Sequence, residues 1–182
     1  MKYKYFFLAI LFISTITNAQ NYKPTDDGSK VHFVIKNFGI NTGGDFNGLK
    51  GNIIFTPDSP SSCTFNVSVA SNTIDTDNTL RDKSLKSAEY LNTENYPEIQ
   101  LISTKIDKTN KTTSGYYYFT GKIIMHGITK QISFPFHADK TKDGYLFTGN
   151  FEVNRVDFGV GEKSAVLGNK VIVSLKILAK KK

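Results

Sequence analysis

Cysteine and histidine are scarce in this chain, which limits the chemistry it can carry. The 182 residues include one cysteine, Cys63, so no intramolecular disulfide can form and packing must hold the domain together. The three histidines are His32, His126 and His137, and none pairs with another histidine or with cysteine at metal-ligand spacing. We therefore expect no metal site and no cofactor. Cys63 suits a small, partly buried apolar position better than a reactive thiol.

Catalytic motifs are also missing. No Ser, His and Asp arrangement rises above chance, and Asp75 and Asp77 fit loop acids better than a catalytic carboxylate pair. The segment GGDFNG (residues 43–48) is followed by no helix signal, so it suits a turn or bulge between the first two strands rather than a phosphate-binding loop. An enzyme using His126 or Asp82 as acid or base has no supporting spacing. We expect a protein that is not an enzyme.

Long apolar runs are absent except near the N-terminus. There a short basic region precedes YFFLAILFISTI (residues 5–16), and small or polar residues follow up to Ala19. This pattern predicts a secretory signal peptide over residues 1–19, and hence a periplasmic or secreted protein. A permanent membrane anchor is the weaker alternative because the run is too short to span a bilayer comfortably.

The charge is mildly basic and spread along the chain, except for the final KKK. The formal net charge is +7, which becomes +5 without Lys2 and Lys4. No basic stripe is interleaved with aromatic residues, so nucleic acid is not a predicted partner. Residues 20–182 show no linker and no internal repeat, and their length suits a single domain. The oligomeric state stays open, with a homodimer among the options.

Most of the chain after residue 20 alternates apolar and polar residues, as strands do. In residues 30–37, for example, Val31, Phe33 and Ile35 share one face. About eight such strands predict an all-β domain, either a sandwich or an up-and-down barrel. Six further alternating runs lie at residues 64–71, 98–104, 115–127, 130–139, 144–155 and 170–180.

One charged segment, TLRDKSLKSAEYLNTENYP (residues 79–97), interrupts this pattern. Thr79 can cap a helix, and the negative charge of Asp82 would stabilise the positive N-terminal end of that helix. Tyr96-Pro97 then returns the chain to extended geometry. The segment predicts a short amphipathic helix from Thr79 to Leu91, laid over one end of the β structure as a plug or a lid. Its residues at helical spacing are Leu80, Ser84, Leu85, Ala88 and Leu91, while Lys83, Lys86 and Glu89 face water.

Four blocks of the chain carry a resemblance to a known family. They are FVIKNFGINTGGDFNGLKG (residues 33–51), NTLRDKSLKSAEYLNTENYPEIQLIST (78–104), GKIIMHGITKQISFPF (121–136) and FEVNRVDFGVG (151–161). In these blocks the chain resembles the YceI-like family of exported lipocalin-like barrels, which is associated with binding polyisoprenoid and other amphiphilic lipids. The second block is the most specific, because its Arg-Asp, the following Leu and the Tyr-Pro all fall in register.

The resemblance implies an eight-stranded antiparallel lipocalin-like barrel with a short helix near one mouth and a long apolar ligand in its lumen. Two positions depart from the family pattern. Ser84 stands where the family often has His, and Gly28-Ser29 stands where it often has His-Ser. No role of those histidines is carried over to this chain.

The candidate ligand-binding residues are apolar and are expected to face the lumen, or in two cases to cover it from the helical segment. An eight-stranded barrel either fills with side chains or holds one small ligand, and inward residues of a barrel are often simply core. The candidates are Phe33, Phe46, Phe65, Val67, Leu85, Leu91, Ile99, Phe119, Phe134, Phe136, Phe147, Phe151 and Val173.

Three polar residues are candidates for the mouth: Arg81, Asp82 and Arg155. A guanidinium there could bind an anionic headgroup bidentately, while the alternative for Arg81 and Asp82 is a pair that ties the helix to the barrel. We expect the protein to bind or carry a polyisoprenoid or fatty amphiphile in the bacterial envelope. The alternative is a structural or stress-associated envelope protein with a filled core.

Overall fold

The structure, a computed structural model, describes residues 20–109 and 114–182. The predicted signal peptide over residues 1–19 lies outside the described residues, and so does its cleavage point after Ala19. Within the described ranges the chain folds almost wholly into antiparallel strands, as the alternating sequence predicts.

Nine hydrogen-bonded segments form one sheet in which nearly every segment pairs with its sequence neighbour. Period-two alternation decides which side chains face inward: in residues 131–136, Ile132, Phe134 and Phe136 are buried while the residues between them are exposed. The segments are β1 (Asn21–Asn37), β2 (Ile40–Phe46), β3 (Lys50–Ile54), β4 (Thr64–Ala70), β5 (Glu98–Lys108), β6 (Tyr116–Met125), β7 (Ile128–Lys140), β8 (Gly144–Asn154) and β9 (Leu167–Lys181).

Pairing between the first and last strands closes the sheet into a barrel. β1 pairs with β9 from Tyr22 opposite Lys181 to Asn37 opposite Leu167. β2 and β3 both pair along the other side of β1, so they act as two segments of one interrupted strand. The predicted eight-stranded antiparallel barrel is therefore confirmed.

The barrel end at which β1 begins and β9 finishes, the closed end, is filled by aromatic rings. Phe55 is 1% exposed and makes edge-on contacts with five other rings at centroid distances of 5.0 to 6.5 Å. Edge-to-face packing is the geometry that aromatic quadrupoles favour. These partners of Phe55 are Phe65, Tyr117, Phe136, Tyr145 and Phe147.

The opposite end, the mouth, is covered by loops and by one helix. Its connections are the turn at residues 38–39, residues 71–97, the turn at residues 126–127 and residues 155–166. Helix α1 (Thr79–Lys86) lies in the second of these. The predicted short helix near one mouth is confirmed.

The bounds of the helix differ from those predicted. Asn78, not Thr79, is the N-cap: its side chain accepts a hydrogen bond from the Arg81 backbone N–H. The helix ends at Lys86 and the next residue, Ser87, is extended, so Leu91 lies in the turns that follow. Asn and Asp are among the strongest capping residues, and the Asn at position 78 takes the role predicted for its neighbour.

Glycine in β2 allows the segment before the helix to lie against the barrel. A Cβ on Gly44 would lie 2.6 Å from the Asp75 carbonyl oxygen, closer than a side chain permits. The neighbouring Asp45 exchanges two backbone hydrogen bonds with Asp75, at 2.8 and 3.1 Å. The expected turn or bulge at residues 43–48 is therefore wrong for Gly43 and Gly44, which lie inside the strand.

Loss of the Phe55 ring is expected to destabilise the barrel. Phe55→Ala removes a ring that is almost fully buried, and such truncations cost about 3–5 kcal/mol. Denaturant unfolding measures the free energy of unfolding directly. Phe38→Ala is the matched control, because Phe38 is 73% exposed and its loss should change stability by less than about 0.5 kcal/mol. Equal effects of the two changes would contradict this description of the closed end.

Candidate ligand-binding site

The barrel encloses a cavity with a volume of about 240 Å³. One water molecule needs roughly 10–15 Å³, so the interior is far from filled. Its wall is formed almost wholly by aliphatic and aromatic side chains from all the strands and from the mouth. The filled core of the alternative interpretation does not describe this barrel.

All thirteen predicted apolar residues line this cavity: Phe33, Phe46, Phe65, Val67, Leu85, Leu91, Ile99, Phe119, Phe134, Phe136, Phe147, Phe151 and Val173. Eleven lie in strands, where period-two alternation places them on the inner face. Leu85 and Leu91 reach the cavity from α1 and from the turn after it. Their contact with a ligand stays a prediction.

Further lining residues were not among the candidates. Ile123 and Met125 are buried in β6, but Ile124 between them is also apolar, so the sequence lacks the clear alternation that would have identified them. Tyr90 and Val160 also line the cavity, but they lie in non-repetitive loops of the mouth. Their loops have no periodic signal that a sequence could reveal.

The helix presents a narrower apolar face to the barrel than its sequence suggests. Leu85 is half-buried and Leu91 is 6% exposed, and the Leu91 N–H donates to the Leu85 carbonyl at 3.0 Å. Leu80, however, is 80% exposed, which contradicts its expected place on the inner face. Lys83 is exposed as predicted, while Lys86 is half-buried.

Thr76 ties the helix to the barrel. This residue is 5% exposed; its hydroxyl donates to Asp82 Oδ1 at 2.6 Å and its N–H donates to the same oxygen at 3.0 Å. Arg81 Nε donates to the Thr76 hydroxyl at 2.8 Å, and Arg81 Nη2 donates to the Thr76 carbonyl at 2.6 Å. Arg81 and Asp82 therefore hold the helix in place through Thr76, rather than as a direct pair.

Arg155, a candidate for the mouth, is buried there by its own loop. It is 4% exposed, and its guanidinium donates to the carbonyl oxygens of Val160, Glu162, Leu167 and Gly168 and to Asn169 Oδ1, at 2.7 to 3.3 Å. Burial lowers the pKa of the Arg155 guanidinium from its ordinary value. Arg155 fixes the loop between β8 and β9, and it still lines the cavity.

The residues suggested for acid–base chemistry lie outside the cavity wall. His126 Nδ1 lies 2.9 Å from the Phe158 carbonyl oxygen, and neither His126 nor Asp82 lines the cavity. Cys63 is buried at the closed end, where burial raises the pKa of its thiol. Across residues 20–109 and 114–182, no three His, Cys, Asp or Glu side chains are grouped to hold a metal ion.

Within the described part of the chain, no helix is long and apolar enough to cross a membrane. Apolar side chains are nonetheless exposed around the mouth, chiefly on the hairpin turn, the helix and the loop before β9. Phe38 and Ile40 are 73% and 70% exposed, and Val166 is 42% exposed.

The Thr76 hydroxyl is expected to control how easily the helix leaves the mouth. Thr76→Val keeps the side-chain shape but removes two hydrogen bonds, one of them to a carboxylate, at a cost of about 1–3 kcal/mol. Amide exchange in residues 79–86 should accelerate about fivefold to hundredfold, while amides in β6 and β7 keep their protection. Thr79→Val, at an exposed position, is the control. Uniform acceleration throughout the barrel would contradict a separately opening helix.

Comparisons with known proteins agree with this geometry. Residues 22–179 match the family model described as the YceI-like domain. The UPF0312 protein of Pectobacterium atrosepticum is 33% identical over 117 residues, 63% of this chain, and the chain spans 59% of the length of that relative.

Two solved structures share the fold. BcnA of Burkholderia cenocepacia has a TM-score of 0.78 at 18% identity, covering 85% of this chain and 98% of its own. A polyisoprenoid binding domain from Saccharophagus degradans, implicated in plant cell wall breakdown, has a TM-score of 0.70 at 12% identity, covering 88% and 98%. With its family model matched over almost the whole barrel, the chain belongs to the YceI-like family.

Proposed function

We propose that this protein binds a long-chain amphiphile, a polyisoprenoid or a fatty lipid, with its apolar chain inside the barrel. The observation that carries the proposal is the unfilled cavity of about 240 Å³, walled by apolar side chains. Water is poorly stabilised in such a cavity, because the apolar wall offers it few hydrogen-bond partners. An apolar chain suits the same space, and the protein of similar fold from Saccharophagus degradans is a polyisoprenoid binding domain.

Binding of this kind is passive and needs no catalytic group. Burial of each methylene contributes about 0.8 kcal/mol, so ten methylenes contribute about 8 kcal/mol before ordering costs are subtracted. The mouth offers the entrance, since the closed end is blocked by the rings around Phe55. We further propose that residues 1–19 direct export, so that the protein carries its ligand in the bacterial envelope without turning it over.

A bulky residue inside the lumen is expected to displace the ligand. Val173 lies on the inner face of β9 between Phe33 and Phe151, and Val173→Trp fills part of the cavity. Affinity for geranylgeraniol, measured by native mass spectrometry, should fall by about tenfold or more, about 1.4 kcal/mol. Thermal stability should change little, because the added ring enters empty space.

Ile172→Trp provides the matched control, because Ile172 is the residue before Val173 in β9 and is 43% exposed. It should bind geranylgeraniol as the parent protein does. A parent protein that gains no thermal stability from geranylgeraniol or hexadecanol, and never appears with either bound, would contradict the proposed function.

A charge on the inner side of the helix is expected to weaken ligand retention. Leu85→Asp places a charged carboxylate where an aliphatic side chain lines the cavity, and the cost of removing that charge from water forces the helix outward. Dissociation should accelerate by about tenfold or more, while the melting temperature falls only modestly because the strands hold one another. Leu80→Asp, on the exposed side of the same helix, should leave dissociation unchanged. Global unfolding of Leu85→Asp would show that the helix belongs to the core.

A further inference from the structure

Arginine is rare in this chain and is confined to the cavity wall. Arg81 and Arg155 are the two arginines of the sequence, against 21 lysines. Both line the cavity from the mouth, and among the described residues no lysine, histidine, aspartate or glutamate joins them in its wall. The cavity therefore contains two positive charges and no described negative one.

Neither arginine forms a direct ion pair with a described residue, and Asp82 reaches Arg81 only through the Thr76 hydroxyl. The ion pairs formed by the described residues involve lysine or histidine on the basic side, and none includes Arg81 or Arg155. Buried charges are normally paired, since removing a charge from water is costly. Arg155, at 4% exposure, is surrounded by neutral oxygen acceptors only, and its positive charge is left uncompensated.

Both guanidinium groups retain donors. A guanidinium has five N–H groups. Arg155 Nη1 donates to one acceptor, Val160 O, which leaves its second N–H without a partner among the described residues. Arg81 uses Nε and Nη2 on Thr76, and its Nη1 donates to no described residue. Each arginine is thus held in place by some of its donors while others stay available.

We propose that Arg81 and Arg155 form an anion-binding site at the mouth, which selects amphiphiles with a carboxylate or phosphate headgroup. The inference rests on the proposed function, because the apolar chain of the same ligand occupies the lumen. An anionic headgroup supplies the missing negative charge and accepts charge-assisted hydrogen bonds, which are about twice as strong as neutral ones. An uncharged alcohol of equal chain length supplies only the burial of its chain.

The test compares three ligands with one chain and different headgroups. Hexadecanoate, hexadecyl phosphate and hexadecanol are measured by equilibrium dialysis against the delipidated protein. At least one anion should bind about tenfold or more tightly than the alcohol. Tighter hexadecanoate would identify a carboxylate ligand, and tighter hexadecyl phosphate would identify a phosphate ligand.

Variants then locate the effect. Arg81→Gln should reduce the preference for the anion over the alcohol by about fivefold or more, measured as the ratio of the two dissociation constants within the variant. Loosening of the helix, which Arg81 also holds through Thr76, weakens both ligands alike and cancels in that ratio. Arg81→Lys should retain part of that preference because it keeps the charge. Lys83→Gln removes a charge from the exposed side of the same helix and should leave the preference unchanged.

The outcomes separate this inference from the proposed function. Equal binding of all three ligands would overturn the anion site and leave lipid binding in place. Equal loss of the preference in Arg81→Gln and Lys83→Gln would also overturn the anion site, since the overall positive charge of the helix would then explain the preference. Failure of all three ligands to bind would overturn the proposed function and, with it, the anion site.

Discussion

The hydrogen bonds between β1 and β9 are the constraint on which the rest of the structure depends. They run nearly the full length of both strands and turn an open sheet into a closed barrel whose width is set by its eight strands. Inward side chains then share a space of fixed size. Phenylalanine rings pack against one another along the wall, as Phe119, Phe134 and Phe151 do at centroid distances of 4.9 Å, and they leave the centre empty.

The two ends of the barrel are closed by different physical means. At the closed end, packed rings around Phe55 exclude solvent and cannot separate without loss of buried apolar area. At the mouth, loops are held by polar side chains: Thr76 holds the helix, and Arg155 holds the loop before β9. Local opening takes less free energy where a few side-chain hydrogen bonds, rather than a packed apolar core, hold a segment. The mouth is thus the end suited to ligand exchange.

Most of the fold, and the place of the apolar candidates on the cavity wall, could be predicted from the sequence. Period-two alternation identifies the strands and the inward phenylalanines without any knowledge of which strands pair. The choice of a barrel over a sandwich came from the resemblance, because the pairing of β1 with β9 joins residues far apart in the chain. Alternation is a local signal, and it contains no information about such closure.

Features that depend on a partner elsewhere in the chain were not predictable. Arg155 satisfies its donors on carbonyl oxygens of an irregular loop, which no residue pattern encodes. Position 44 requires glycine because the Asp75 carbonyl oxygen lies too close for a Cβ. That contact exists only once the two segments have met in the fold.

The position of the ligand's chain tests the central claim most directly. Isotope-filtered nuclear Overhauser spectroscopy of the protein with uniformly ¹³C-labelled hexadecanoate reports which side chains the methylenes contact. A chain inside the barrel gives contacts to the rings of Phe119 and Phe134 and to the methyl groups of Val173. Contacts confined to exposed residues such as Ile172 or Phe38, with none to the lumen, would contradict it.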